Sequence, residues 1–197
     1  GTAMRIAVLG TGGVGQTLGS RLVETGHEVR MGSRTAGNEK AVAWAAAAGE
    51  AASEGSFRDA ASWGQVVVNA TGGLVSVEAL TAAGTDHLAG KVIIDVSNPL
   101  DFSHGFPPTV VQPDGRSLAE SIPAAFPEAR VVKALNTMNA DAKATARTLL
   151  EGFGWGADEI LDVGELHAAR GLELYLPLWL NLMASLGSPS FNVAVVR

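Results

Sequence analysis

The 197-residue chain contains no cysteine. Disulfides, thiol nucleophiles and Cys-ligated zinc are therefore excluded. Aromatic residues make up 6% of the sequence, with a single tyrosine and four histidines. No His, Asp or Glu cluster has the spacing of a metal site. Charge is sparse and tilted to the negative: 14 Lys and Arg stand against 20 Asp and Glu, a net charge of −6. The basic residues are scattered, which argues against non-specific binding to nucleic acid or to an anionic membrane. The most apolar late stretch, LELYLPLWLNLMASLG, carries Glu173, Pro177 and Asn181 and is too short to span a bilayer comfortably. It reads as a buried or interfacial helix. No charged segment followed by an apolar run opens the chain, so no signal peptide and a cytoplasmic location are expected. Gly1-Thr2-Ala3 before Met4 resembles an expression scar.

Glycine, by contrast, is plentiful, with 24 residues. Gly10-Thr11-Gly12-Gly13-Val14-Gly15 follows the apolar run Ile6-Ala7-Val8-Leu9. The next segment carries Val14, Leu18, Leu22 and Val23 near helical spacing, Gly26-His27 stops it, and HEVRMGSR reads as a second strand. This is the strand-turn-helix-strand context that a Gly-x-Gly-x-x-Gly dinucleotide fingerprint requires. Gly10 permits the tight turn, Gly12 lets a pyrophosphate approach the backbone, and Gly15 lets helix and strand pack closely. Thr11, Gly13 and Val14 complete the turn, and the helix N-terminus offers free N–H groups to phosphate.

The end of the second strand separates the cofactors. An NAD site usually places Asp or Glu there to bond the ribose hydroxyls. This chain has Gly32, followed by Ser33 and Arg34. A guanidinium makes paired, charge-assisted hydrogen bonds to a 2′-phosphate that a carboxylate would repel. Ser33 can donate one more bond, and Lys40 on the next helix can approach as a point charge. The expected cofactor is NADP(H).

Strands then alternate with helices, which predicts an α/β fold, a Rossmann-type doubly wound parallel sheet. QVVVNATGG, KVIIDVSNPL and ARVVKALNTM read as strands, and DEILDVG as a final one. Helices are expected over 39–49, 75–83 (with Ser76 as a possible cap), 117–126, 141–153 and 168–186, the last kinked at Pro177. Residues 4–197 read as one NADP-binding domain with a C-terminal helical piece over 164–190. In such sheets ligands sit beyond the carboxyl ends of the strands. Ala70-Thr71, Asn98-Pro99 and Ala134 with Asn136 fall there and could line the ribose and nicotinamide half of a groove. Each is also ordinary turn chemistry.

MRIAVLGTGGVG, GSR, IIDVSNPL, VVKALNTMNA and DVGELHAARGLELYLPLWLNLM resemble, in that order, the F420-dependent NADP oxidoreductase family. The resemblance runs from Met4 to about Asn192. The cytoplasmic domains of ferric reductases share part of the pattern. The resemblance implies a Rossmann domain with a short helical C-terminal piece and hydride exchange between NADP(H) and coenzyme F420. It implies pyrophosphate binding by Gly10 to Gly15 and 2′-phosphate binding by Ser33, Arg34 and Lys40. Thr71, Asn136 and the C-terminal helix would lie near the nicotinamide and the second cofactor. The family pattern carries a loop and a strand after the N-T-M-like segment. In this sequence Ala140 runs straight into Asp141, so that piece is either deleted or missing from the sequence as given.

Hydride transfer needs two rings held face to face, and the cofactors carry that chemistry. No catalytic side chain is expected. His104, His167 and Tyr175 lack a base-orienting partner at interpretable spacing, and Asp95 and Asp162 read as turn caps. The apolar stretch within 172–183 exceeds what a short helix buries in its own domain, so a homodimer is expected. An NADPH reductase of a flavin, quinone or ferric chelate, and a non-catalytic NADP(H) sensor, are the alternatives.

Overall fold

Short runs of branched apolar residues make the sheet, and their alternation makes its two faces. A computed structural model describes residues 2–105, 108–112, 115–133, 140–162 and 169–188. Along the chain lie β1 (Arg5–Leu9), α1 (Gly13–Glu24), β2 (Glu28–Ser33), α2 (Glu39–Ala48), β3 (Ala52–Ser56), α3 (Phe57–Trp63) and β4 (Val66–Asn69). A 3-10 turn (Gly73–Val75) leads into α4 (Ser76–Ala83), α5 (Thr85–Leu88), β5 (Val92–Asp95), β6 (Leu100–Asp101) and β7 (Thr109–Val110). Then come α6 (Leu118–Ala125), β8 (Arg130–Lys133), α7 (Ala140–Gly152), α8 (Ala169–Glu173) and α9 (Tyr175–Leu186). The main sheet has six strands in the order β3-β2-β1-β4-β5-β8, while β6 and β7 form a separate hairpin. Every pairing in the main sheet is parallel. The strand order reverses between β1 and β4, where an open sheet of this kind leaves a crevice.

Ile6 and Val8 point to one face, where Leu22 of α1, Trp44 of α2 and Leu149 of α7 cover them. Ala7 and Leu9 point to the other, under Phe57 of α3, Leu80 of α4 and Ile122 of α6. Helices on both faces explain why the central strands are apolar throughout. α1 and α2 approach closely: a Cβ on Gly19 would lie 2.7 Å from the Trp44 ring. Trp44 Nε1 donates to Ser20 Oγ at 3.0 Å, which satisfies the buried indole.

The Rossmann-type doubly wound sheet is the predicted architecture, with local departures. β3 is an unforeseen strand, because ASEGS is polar and small and borders β2 alone. The final strand expected over 158–164 is absent from its described part: residues 158–162 form a turn and irregular backbone. There the Gly156 N–H donates to Glu159 Oε2 at 2.7 Å, and Lys143 of α7 pairs with Asp162 at 2.7 Å. Ser76 opens α4 rather than capping it. The C-terminal helix breaks at Leu174, not at Pro177. Pro177 sits in the first turn of α9, where a missing N–H costs nothing, and its ring forbids helical continuity with the Glu173 carbonyl four residues back.

Candidate cofactor site

The carboxyl ends of β1, β2 and β4 open onto a cavity of about 410 Å³. Gly10, Thr11 and Gly12 line it after β1, Ser33, Arg34 and Thr35 at the end of β2, and Ala70, Thr71 and Gly72 after β4. Phe57, Val75 and Ala79 supply an apolar wall.

The glycines of the turn answer to different constraints. Gly10 has φ +116°, and a Cβ there would lie 2.3 Å from the Ala70 carbonyl oxygen. A Cβ on Gly15 would lie 2.3 Å from the Gly10 carbonyl oxygen. Both positions are fixed by the protein's own packing. Gly12 has an ordinary extended backbone, with φ −76°. A Cβ on Gly12 or Gly13 would meet no protein atom within 4 Å. The open space in front of these two glycines adjoins the first turn of α1. That helix has no side-chain cap and no acid in its first turn, whereas Asn38, Ser56 and Ser117 cap α2, α3 and α6. Gln16 N–H is bonded back to Gly12, and helix geometry leaves the N–H groups of Gly13, Val14 and Gly15 without an intrahelical partner. A turn with empty space, unpaired donors and the positive end of a helix dipole suits an anion.

At the end of β2 a carboxylate has no room at position 32. A Cβ on Gly32 would lie 2.8 Å from Leu9 Cδ2 and 3.0 Å from Ala60 Cβ. Ser33 is buried, and its hydroxyl donates to the Thr35 carbonyl at 2.6 Å. Its proton is therefore committed, and only its lone pairs remain. Arg34 is exposed and has no ion-pair partner among the described residues. The nearby Glu54 accepts the Gly37 N–H at 2.9 Å, which ties it to the loop.

The pattern of NADP oxidoreductases that depend on coenzyme F420 matches residues 5–99. A solved chain from Arthrobacter sp. FB24, provisionally named an F420-dependent NADP-reductase, is 41% identical with a TM-score of 0.89. The match covers 99% of this chain and 100% of that one. The chain belongs to the F420-dependent NADP oxidoreductase family. It is also 29% identical to the metalloreductase STEAP3 of Rattus norvegicus over 90% of its own length, and spans 38% of that protein. An imine reductase from Myxococcus stipitatus, 18% identical with a TM-score of 0.64, covers 94% of this chain and shares the fold alone.

In this member of the NADP oxidoreductases, the expected site residues do not all converge. Gly10, Thr11, Gly12, Ser33, Arg34, Ala70 and Thr71 line the cavity. Lys40 does not: it borders a shallow surface between α1 and α2, beside Gln16 and Ser20. Asn98 and Pro99 act through their backbone. The Asn98 carbonyl accepts the Gly73 N–H at 3.2 Å, and a Cβ on Gly73 would lie 2.3 Å from that carbonyl. This contact sets the turn after β4. Ala134, Asn136 and His167 lie outside the described residues. His104 is exposed, with Nδ1 3.0 Å from Ser103 Oγ. No group of three or more His, Cys, Asp or Glu that could hold a metal occurs among the described residues. No helix among them is long and apolar enough to cross a membrane.

Asp95 is no turn cap alone. Behind Thr71 runs a buried polar chain that the sequence reading missed. Lys133 at the end of β8 is fully buried and pairs with Asp95 Oδ2 at 2.8 Å and Glu173 Oε1 at 3.4 Å. Lys133 also donates to the Ser97 carbonyl. Glu173 accepts the Leu118 and Ala119 N–H groups at 3.2 and 3.3 Å, so the start of α6 helps to offset its charge. Asn69 Nδ2 donates to Asp95 Oδ1 at 2.9 Å, and Thr71 Oγ1 donates to Asn69 Oδ1 at 2.7 Å. The signal was present: Asp95 and Lys133 are charged ends of apolar strands, and the register sets them side by side. Nearer the surface, Arg170 grips Glu120 through both carboxylate oxygens at 2.7 and 2.8 Å, and holds its pKa down at about 2.

Proposed function

We propose that this chain transfers a hydride between NADP(H) and coenzyme F420. One observation carries the cofactor half: a cavity with free helix N–H groups and uncrowded glycines at one end, and at the other an exposed Arg34 with no ion-pair partner among the described residues and no room for a carboxylate at Gly32. That set fits a pyrophosphate and a 2′-phosphate. Gly10, Thr11, Gly12, Gly13, Val14 and Gly15 hold the pyrophosphate by backbone donors. Arg34 takes the 2′-phosphate, with Thr35 beside it, while Lys40 stands outside the cavity lining. Ala70 and Thr71 border the ribose and nicotinamide half, with Asn98 and Pro99 supporting that turn from behind. Ala134 and Asn136, which follow β8 in the sequence, lie outside the described residues.

F420 as the acceptor is supported by the family and by the Arthrobacter relative. When bound, the cofactors supply the hydride chemistry. The protein's part is to hold the nicotinamide by one face and leave the other open, a proximity effect that needs no acid or base. The exposed Leu174, Leu178 and Leu186 on and beside α9 support a second copy as the covering partner. The 29% identity to a metalloreductase favours, as a second reading, NADPH reduction of a ferric chelate or flavin.

Anaerobic mixing with NADPH and oxidised F420, with FMN and a ferric chelate in parallel, decides between them. Rapid loss of deazaflavin absorbance supports the first reading. Tight NADPH binding with turnover of FMN or iron alone supports the second.

A further inference from the structure

We infer that the buried chain Lys133–Asp95–Asn69 fixes Thr71 as a hydrogen-bond acceptor toward a donor on the nicotinamide half of NADP(H), which makes Lys133 and Asp95 positioning residues for the cofactor. The inference rests on the NADP(H) reading above. Its logic is one of forced orientations. The Asp95 carboxylate, paired with the Lys133 ammonium at 2.8 Å, can only accept. Asn69 therefore has to turn its amide nitrogen toward Asp95, at 2.9 Å, with Ser76 Oγ and Ser97 Oγ at 3.0 and 3.2 Å also within its reach. Its carbonyl oxygen is left facing Thr71, whose single hydroxyl proton is drawn to it at 2.7 Å.

What Thr71 keeps is lone pairs. Ser76 Oγ lies 3.0 Å away and can fill one of them, and the other remains for the cavity that Thr71 lines. Asn69, Ser76, Ser97, Asp95 and Lys133 are all buried, so water cannot restore a flipped amide. A buried cation more than a strand away thus sets the polarity of one hydroxyl at the cofactor. Two groups on that half of the dinucleotide can donate: the carboxamide N–H and a ribose O–H.

The test is calorimetric titration of wild type, Thr71→Val, Thr71→Ser, Asp95→Asn and Lys133→Met with NADP⁺, 2′-phospho-ADP-ribose and 2′,5′-ADP. Thr71→Val is expected to weaken NADP⁺ about tenfold, one hydrogen bond, and to leave 2′,5′-ADP unchanged. Thr71→Ser keeps the hydroxyl and restores binding. If the loss persists with 2′-phospho-ADP-ribose, the donor is a ribose hydroxyl; if it vanishes, the donor is the carboxamide. Asp95→Asn and Lys133→Met should reproduce the Thr71→Val pattern across the ligands, which a merely loosened fold would not do. Should those two fail to fold, the wild-type amide spectrum stands in, with slow exchange expected for the Asn69 side-chain protons. Normal NADP⁺ affinity in Thr71→Val, equal losses for 2′,5′-ADP, or fast Asn69 exchange would overturn the inference. Wild type that binds no NADP⁺ would instead overturn the NADP(H) reading itself.

Discussion

Replacing Gly12 and Gly10 by alanine separates ligand from fold within a single turn. At Gly12 the backbone is extended and a Cβ meets nothing within 4 Å. Alanine there loses some N-cap preference and gains from a stiffer unfolded chain, effects of about 1 kcal/mol or less each and opposite in sign. Stability should stay within about 1 kcal/mol of wild type. The added methyl would stand in the space assigned to the pyrophosphate. Displacing one or two charge-assisted bonds, each about 1.5–3 kcal/mol, should weaken NADPH by roughly tenfold to about twenty-thousandfold. At Gly10 the same methyl meets the Ala70 carbonyl oxygen at 2.3 Å, on a backbone at φ +116°. Strain of about 1–3 kcal/mol plus that overlap should destabilise the protein by more than about 3 kcal/mol. Urea denaturation and NADPH fluorescence titration read the two effects separately. Normal NADPH affinity in Gly12→Ala, or a loss of stability matching that of Gly10→Ala, would show that Gly12 serves the fold rather than a ligand.

Glu120 contributes stability fully above the ordinary carboxyl value of 4.5, and that share is lost as pH falls through about 2. Arg170→Ala should therefore flatten the acid-denaturation curve between those values, with only a small cost at neutral pH because the pair is solvent-screened; an unchanged acid limb would remove the clamp from the stability balance. Leu178→Asp should convert a dimer into a monomer by light scattering, because Leu178 is 52% exposed within an apolar helix; a wild type that scatters as a monomer contradicts the covering partner. His104→Ala should leave turnover nearly intact, since the side chain is exposed and bonded to Ser103; a thousandfold drop would reveal an acid that proximity alone does not replace.

The first strand-helix-strand unit is fully legible because every signal in it is local. An apolar run, a glycine turn and a helix stop follow one another, and Gly26 at φ +91° with the His27 N–H bonded to Leu22 closes the helix as expected. β3 is not legible, because an edge strand bonded on one side needs no apolar run. The strand expected at 158–164 reads apolar at Ile160 and Leu161, yet residues 158–162 join no strand among the described residues, and Leu161 is 56% exposed. At the site, Arg34 follows from its adjacency to β2, while Lys40 is turned by the α2 helix toward α1. The Lys133–Asp95–Glu173 cluster leaves only a hint in the sequence, two charged residues closing apolar strands, and no single window joins them. Its members lie on β8, β5 and α8, and only the sheet order brings them together.

Whether the cavity takes a 2′-phosphate is tested most directly by titrating wild type and Arg34→Ala with NADPH and NADH side by side. Loss of a paired, charge-assisted contact should weaken NADPH about ten- to hundredfold and leave NADH within about twofold. Equal loss for both cofactors, or no loss for either, would contradict the assignment of Arg34 and with it the preference for NADP(H).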